Sequence, residues 1–272
     1  MAKRKRGTNK KSIARRTKEG RGTGRLANYQ PWLHIQDVPS KGLASRIKGW
    51  KTDRVHHFMS LLELAYFYFL EWLLQVVDIR EQFPLFPQKE TLAIAESCGV
   101  SHPFDPKTRH PIVMTTDFNI SVMKEGGIVD CVRTVKYIKD LRSKRTLEKL
   151  EIERRYFAAR NMDWGIVTEN EIPRILAKNV EWLHEYRELA YFTSLSQGDV
   201  RQISVVLTER VTIQNAPLSH ITLECDDMLG LDVGTSLSIA RHLLAIRVWQ
   251  VDMMKPLNPR ERLVLITRPE LN

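Results

Sequence analysis

The chain has 272 residues, 43% of them hydrophobic, enough for one large domain or two smaller ones. Cys98, Cys131 and Cys225 are odd in number, scattered and free of any C-x-x-C pair, which points to a reducing compartment and away from a zinc site. The net charge of +10 lies in residues 1–25, where eleven Lys and Arg face the single acid Glu19, while residues 26–272 balance 31 basic against 31 acidic side chains.

Those first 25 residues lack the apolar core of a secretory signal. Gly-rich and poorly apolar, they are expected to form a flexible basic arm, attracted to polyanions through counterion release, with nucleic acid the commonest partner. A solvated or targeting tail is the alternative. Lys3, Arg4, Lys5, Arg6, Arg15 and Arg16 are the candidate DNA contacts. Residues 13–55 read as irregular. A helix is expected over 60–76, with Ser60 as N-cap and Glu63 completing an S-x-x-E capping box. Its apolar run, LLELAYFYFLEWLLQVV at 61–77, is broken by Glu63, Glu71 and Gln75, so it reads as a buried helix and not a membrane span. The D-x-R-E run of DIREQFPLFP reads as an ion pair closing the end of that helix, and residues 77–111 as mixed.

Farther on, 112–122 and 128–138 read as strands joined by the turn KEGG. Residues 143–160 form a helix with Leu147, Leu150 and Phe157 inward; 162–168 make a strand and 169–186 a helix. This is an α/β domain over 26–168. Residues 169–272 change character: several helices, the last over 232–245, then IRVWQVD and RLVLIT flanking a turn, a winged-helix pattern. The helix at 232–245 would present Arg241 and His242, to DNA or to a docked protein.

A two-residue turn at Gly126-Gly127 would pair Asp117 with Lys136 and Asn119 with Thr134 on a polar face. On geometry alone the Asp–Lys pair is a cross-strand surface ion pair, worth roughly 0–1 kcal/mol, and Glu63 only caps its helix. Taken together, a Glu on an early helix, an Asp on a strand and a Lys on the adjoining strand are the layout of metal-dependent nucleases. Phosphodiester hydrolysis needs a divalent ion, carboxylate oxygens suit Mg²⁺, and a lysine offsets charge in the transition state.

With IARRTKEGRG (13–22), RVHH (54–57), DIREQFPL (78–85), TTDF (115–118), VK (135–136) and RTLEKLEIERRY (145–156), the chain resembles the TnsA family, endonuclease subunits of Tn-seven-type transposases, along nearly its full length. The resemblance implies a restriction-endonuclease-like PD-(D/E)xK core with a mixed sheet, followed by a winged-helix domain. It implies Glu63 and Asp117 as metal-binding carboxylates, the Val135 carbonyl as a further ligand, Lys136 as catalytic lysine, and Mg²⁺, or Mn²⁺, as cofactor. Thr134 departs from the family's Glu, Asp or Gln. Glu148 or Lys149 would face the cleft. The implied activity is cutting the 5′ ends of a transposon, in bacterial cytoplasm at the nucleoid, alongside a TnsB-type DDE transposase and a TnsC-type ATPase. The alternative is a DNA-binding adaptor with a weak site.

Overall fold

The computed structural model describes residues 7–38, 44–188 and 195–266, so Lys3, Arg4, Lys5 and Arg6 lie outside the described residues. The chain divides into two units, Met1–Ile172 and Pro173–Asn272.

In the first unit, part of the segment expected to be a flexible arm is helical. Helix α1 (Lys10–Lys18) starts at a capping box in which Asn9 accepts from the Ser12 amide and Ser12 answers. Arg16 is buried, stacked 5.6 Å from the Trp32 ring centroid and 3.7 Å from Asp37. The glycines that made this stretch look flexible permit close packing instead. Gly22 has φ +81, and a Cβ there would meet Pro84 at 2.3 Å.

A hairpin of β1 (Ser45–Lys48) and β2 (Val55–Phe58) precedes helix α2 (Leu61–Trp72), capped by Ser60. The helix stops four residues short of the expected end, and VVDIREQFP becomes strand β3 (Val76–Pro84). Its polar residues disguised it, because β3 is buried on both faces and shows no simple alternation. β3 is also an edge strand, and the N-terminal segment covers that edge. The Leu26 amide donates to Asp78 at 3.2 Å, the Tyr29 hydroxyl to the Glu81 carbonyl at 3.0 Å and the Trp32 amide to the Gln82 carbonyl at 3.2 Å.

Helix α3 (Gln88–Ser97), not evident in the sequence, leads to β4 (Thr115–Lys124), β5 (Gly127–Val135), helix α4 (Lys144–Ala158) and β6 (Asp163–Val167). The sheet order is β3-β4-β5-β6, antiparallel except for the parallel β5–β6 pair that α4 connects, so the unit is α/β with a mixed sheet. On one face α2 packs Tyr66 and Phe67 toward Phe58 and Phe118. On the other, Val132 joins Leu85, Met114, Ile152, Tyr156 and Phe157 from the α3–α4 side. Leu147, expected inward, is 49% exposed.

The hairpin register differs from the expected one. Lys124 pairs with Gly127 and Asn119 with Val132, so the turn is Glu125-Gly126 and Gly127 takes φ +113 just past it. The pairing is offset by two residues, one full side-chain period, so the same residues keep the same faces.

The second unit is helical: α5 (Arg174–Leu183), α6 (Gln197–Ile213), α7 (Leu218–Leu229) and α8 (Thr235–Ala245) around Leu207, Ile221, Cys225, Ile239, Leu244 and Trp249. Asp226 of α7 caps α8 from outside, accepting the amides of Gly234 at 2.7 Å and Ser236 at 2.8 Å. The two terminal strands of the expected wing are not formed among the described residues. Residues 246–266 run as turns instead, held by Asn179. This buried amide donates to the carbonyls of Met253 and Lys255 and accepts from the Leu257 amide, at 2.7–3.0 Å. Those bonds compete with a ladder for the same backbone groups.

Candidate active site

Beyond the Phe118–Arg133 pair the central strands part: β4 stays with β3 through Thr116–Phe83, while β5 stays with β6 through Val135–Val167. Asp117 and Lys136 meet in this fork, although neither lies opposite the other in the ladder. One carboxylate oxygen of Asp117, Oδ2, accepts the Val135 amide at 2.8 Å, where a strand partner's carbonyl would otherwise stand, and the Lys136 ammonium at 2.7 Å. The other, Oδ1, has no hydrogen-bond partner among the described residues. Lys136 also donates to the Val135 carbonyl at 2.9 Å. Burial works against the Lys136 ammonium, but the charge and hydrogen bond of Asp117 outweigh it and hold the lysine protonated above its ordinary range.

Glu63 reaches the fork from the first turn of α2. Its carboxylate accepts the Met59 amide at 2.9 Å and the Ser60 hydroxyl at 3.0 Å, so it serves the helix end as well. Burial, and next the negative charge of Asp117, push its pKa up to about 7. A carboxyl whose ionisation burial and a neighbouring carboxylate disfavour, with a carbonyl beside them, is part of a donor set that a hard cation would relieve. Among the described residues no three His, Cys, Asp or Glu side chains group around a common point. An ion here would therefore draw on Glu63, Asp117, the Val135 carbonyl and water or substrate oxygens, which fits Mg²⁺ chemistry.

Thr134 does not face the fork as a free ligand. Its hydroxyl donates to Glu153 of α4 and lies 3.2 Å from the Thr116 hydroxyl. Glu153 also accepts the Trp164 indole N–H at 3.0 Å, and complete burial raises its carboxyl above the ordinary range. This third acid was missed in the sequence, where its signal is nonetheless present. Glu153 lies at helical spacing between the inward Leu150 and Phe157, on the apolar stripe where a charge needs a reason. Of the two residues expected at the cleft from α4, Glu148 is paired with Arg145 at 2.8 Å, and Lys149 has Lys136 among its charged neighbours.

Several other polar residues are engaged elsewhere. Asn119 is buried, accepting from Arg80 at 3.0 Å, and Arg80 also pairs with Asp130 at 2.9 Å. Gln82 stands where β3 would pair with Asp117, in the left-handed region at φ +49, with its side-chain oxygen accepting from Thr115 at 3.2 Å. His56 is 2.8 Å from Glu81, and His57 stacks on His34 with centroids 4.6 Å apart. In the helical unit, Arg241 lies 3.5 Å from the Tyr186 ring centroid and donates to the Trp182 carbonyl. His242 is buried, 2.7 Å from the Tyr186 carbonyl. Both are engaged within the unit, where α8 was expected to present them to DNA or to a docked protein. Arg16 is likewise buried, whereas Arg15 remains exposed.

Comparison with known proteins identifies relatives of the chain. A family model described as TnsA-like endonuclease N terminal matches residues 74–169, and one described as TnsA endonuclease C terminal matches residues 171–253. The chain is 41% identical over 231 residues to the "Transposon Tn7 transposition protein TnsA" of Escherichia coli, covering 85% of this chain and 77% of that protein.

Proposed function

Because the chain belongs to the TnsA endonuclease family and is a DNA endonuclease of transposition, we propose that it cuts the 5′-ending strands of a transposon with a divalent metal ion, so that the element leaves by cut-and-paste. The observation that carries this reading is the convergence of Glu63, Asp117 and Lys136 at the fork between β4 and β5. The parting of two central strands around an acid and a lysine supports a PD-(D/E)xK core. Glu63, Asp117 and the Val135 carbonyl would hold Mg²⁺, with Mn²⁺ as substitute, and the ion when bound would polarise the scissile phosphate and supply hydroxide.

The chain's own residues do the rest. Asp117 orients Lys136 through Oδ2 and leaves Oδ1 for the cofactor. Lys136, kept charged, faces the phosphate and offsets negative charge that grows as the bond breaks. Glu153 fixes Thr134 from behind, so the fork keeps its shape without an acid at that position. The partners we infer are transposon-end DNA, a TnsB-type DDE transposase and a TnsC-type ATPase, met in the bacterial cytoplasm. No helix among the described residues is long and apolar enough to cross a membrane. The internal engagement of Arg241 and His242 supports a protein-docking role for the helical unit, while Arg15 and the lysines of α1 remain candidates for DNA.

The test is a donor-cleavage assay reconstituted with both partner proteins. Lys136→Ala should lower 5′-strand cleavage by at least about 100-fold, with assembly intact and joined, cointegrate-type products accumulating. Unchanged products would leave a DNA-binding adaptor in place of an enzyme.

A further inference from the structure

We propose that the corner joining β5 to α4, from Lys136 to Lys149, is a DNA-backbone track leading into the fork, with Lys149 contacting a phosphate beside the one that is cut; the inference rests on the nuclease reading. This stretch carries six basic side chains against two acids, Asp140 and Glu148. Two of the six are engaged: Lys136 with Asp117 and Arg145 with Glu148. Lys139, Arg142, Lys144 and Lys149 are exposed and have no carboxylate partner among the described residues. Lys139 lies over the Tyr137 ring, 5.2 Å from its centroid.

The packing of α4 on β5 puts Lys149 near the site. Val132 is buried in one cluster with Ile152, Tyr156 and Phe157, two residues farther along β5 Thr134 donates to Glu153, and α4 crosses back between the parallel strands β5 and β6. The helix therefore runs against the strand, at about one turn per two strand residues, both steps being roughly 5–7 Å. One step more brings Lys136 level with Lys149. Although the residue as a whole is exposed, desolvation of its ammonium by surrounding protein atoms, then the charges of Arg145 and Lys136, hold it below its ordinary range. Crowding of like charge with no acid between is unfavourable in the free protein and favourable once a phosphate lies there. The far end of the same helix is built the opposite way, with Arg154 and Arg155 both bound to Glu151 at 2.8 and 2.6 Å.

Counterion release makes the proposal measurable. The full-length chain, with chelator present to prevent cutting, is titrated by anisotropy onto a labelled duplex of about 30 base pairs between about 50 and 200 mM salt. Replacing Lys139, Arg142 and Lys144 by alanine together should weaken binding at least about tenfold and flatten the log–log salt slope by about 2 to 3. Lys149→Ala alone should flatten it by about 1. Arg154→Ala with Arg155→Ala should leave the slope as it is. A triple variant with wild-type slope and affinity would overturn the track, and so would a wild-type chain that fails to bind at the lowest salt. If binding behaves as expected and no metal ever supports cutting, the nuclease reading fails and the track stands.

Discussion

Glu63 does two things at once, closing the first turn of α2 and facing Asp117 in the fork. Because burial and Asp117 lift its pKa to about 7 from an ordinary 4.5, the metal-free fold binds that proton more tightly than the unfolded chain does. Its contribution to stability is then fully present below about pH 4.5 and is lost as pH rises through about 7. Glu63→Gln keeps the shape and removes the charge. Without metal it should melt a few degrees above wild type at pH 8, with the gap closing toward pH 5, and it should not cut DNA. Scanning calorimetry at the two pH values checks the sign. Added Mg²⁺ or Mn²⁺ should raise the wild-type midpoint by mass action, more at pH 8 than at pH 6, because the ion competes with the proton. Alone, Glu63 reads as a helix cap and Asp117 with Lys136 as a surface ion pair; it was the three taken together, and the family resemblance, that singled them out. Glu153 was harder to see, because its neighbours Arg154, Arg155 and Glu151 make the whole stretch look solvated.

At the scale of elements, β3 shows how a strand can hide its type. Glu81, fully buried, accepts both guanidinium nitrogens of Arg54, at 2.9 and 2.5 Å, lies 2.8 Å from His56 and accepts the His57 amide at 3.0 Å. Burial opposes its ionisation, yet the charges and hydrogen bonds of His56 and Arg54 outweigh it and hold the carboxyl far below the usual carboxylate range. The network ties β2 to the strand lying against Asp117, so it supports the fork from behind. Glu81→Gln strands the buried Arg54 and should cost about 3–5 kcal/mol. Urea unfolding should show this as a lower midpoint with little change in slope. Alternation identifies a strand with one wet face, but β3 buries both, and its polar side chains are paid for by distant partners: Glu81 by Arg54, 27 residues away, and Arg80 by Asn119, 39 residues away.

For the whole molecule, the Pro173–Asn272 unit has an apolar core of its own, from Val200 on α6 to Trp249. Expressed alone, residues 173–272 should unfold in one cooperative urea transition followed by circular dichroism; a gradual loss of helix would show that this core is insufficient. Residues 26–272 are electrically neutral, so affinity for DNA must come from the basic first 25 residues, from local patches and from partners. The amino-acid sequence by itself determined which segments become α4, β4, β5 and β6, the capping of α2 and the turn near Gly127, because periodicity, caps and turn residues act over a few neighbours. Only the tertiary structure decided where the strands part, what Thr134 bonds to, that Arg241 and His242 turn inward and that α1 packs against Trp32. Those outcomes depend on which distant groups are left to satisfy one another once the apolar faces have closed.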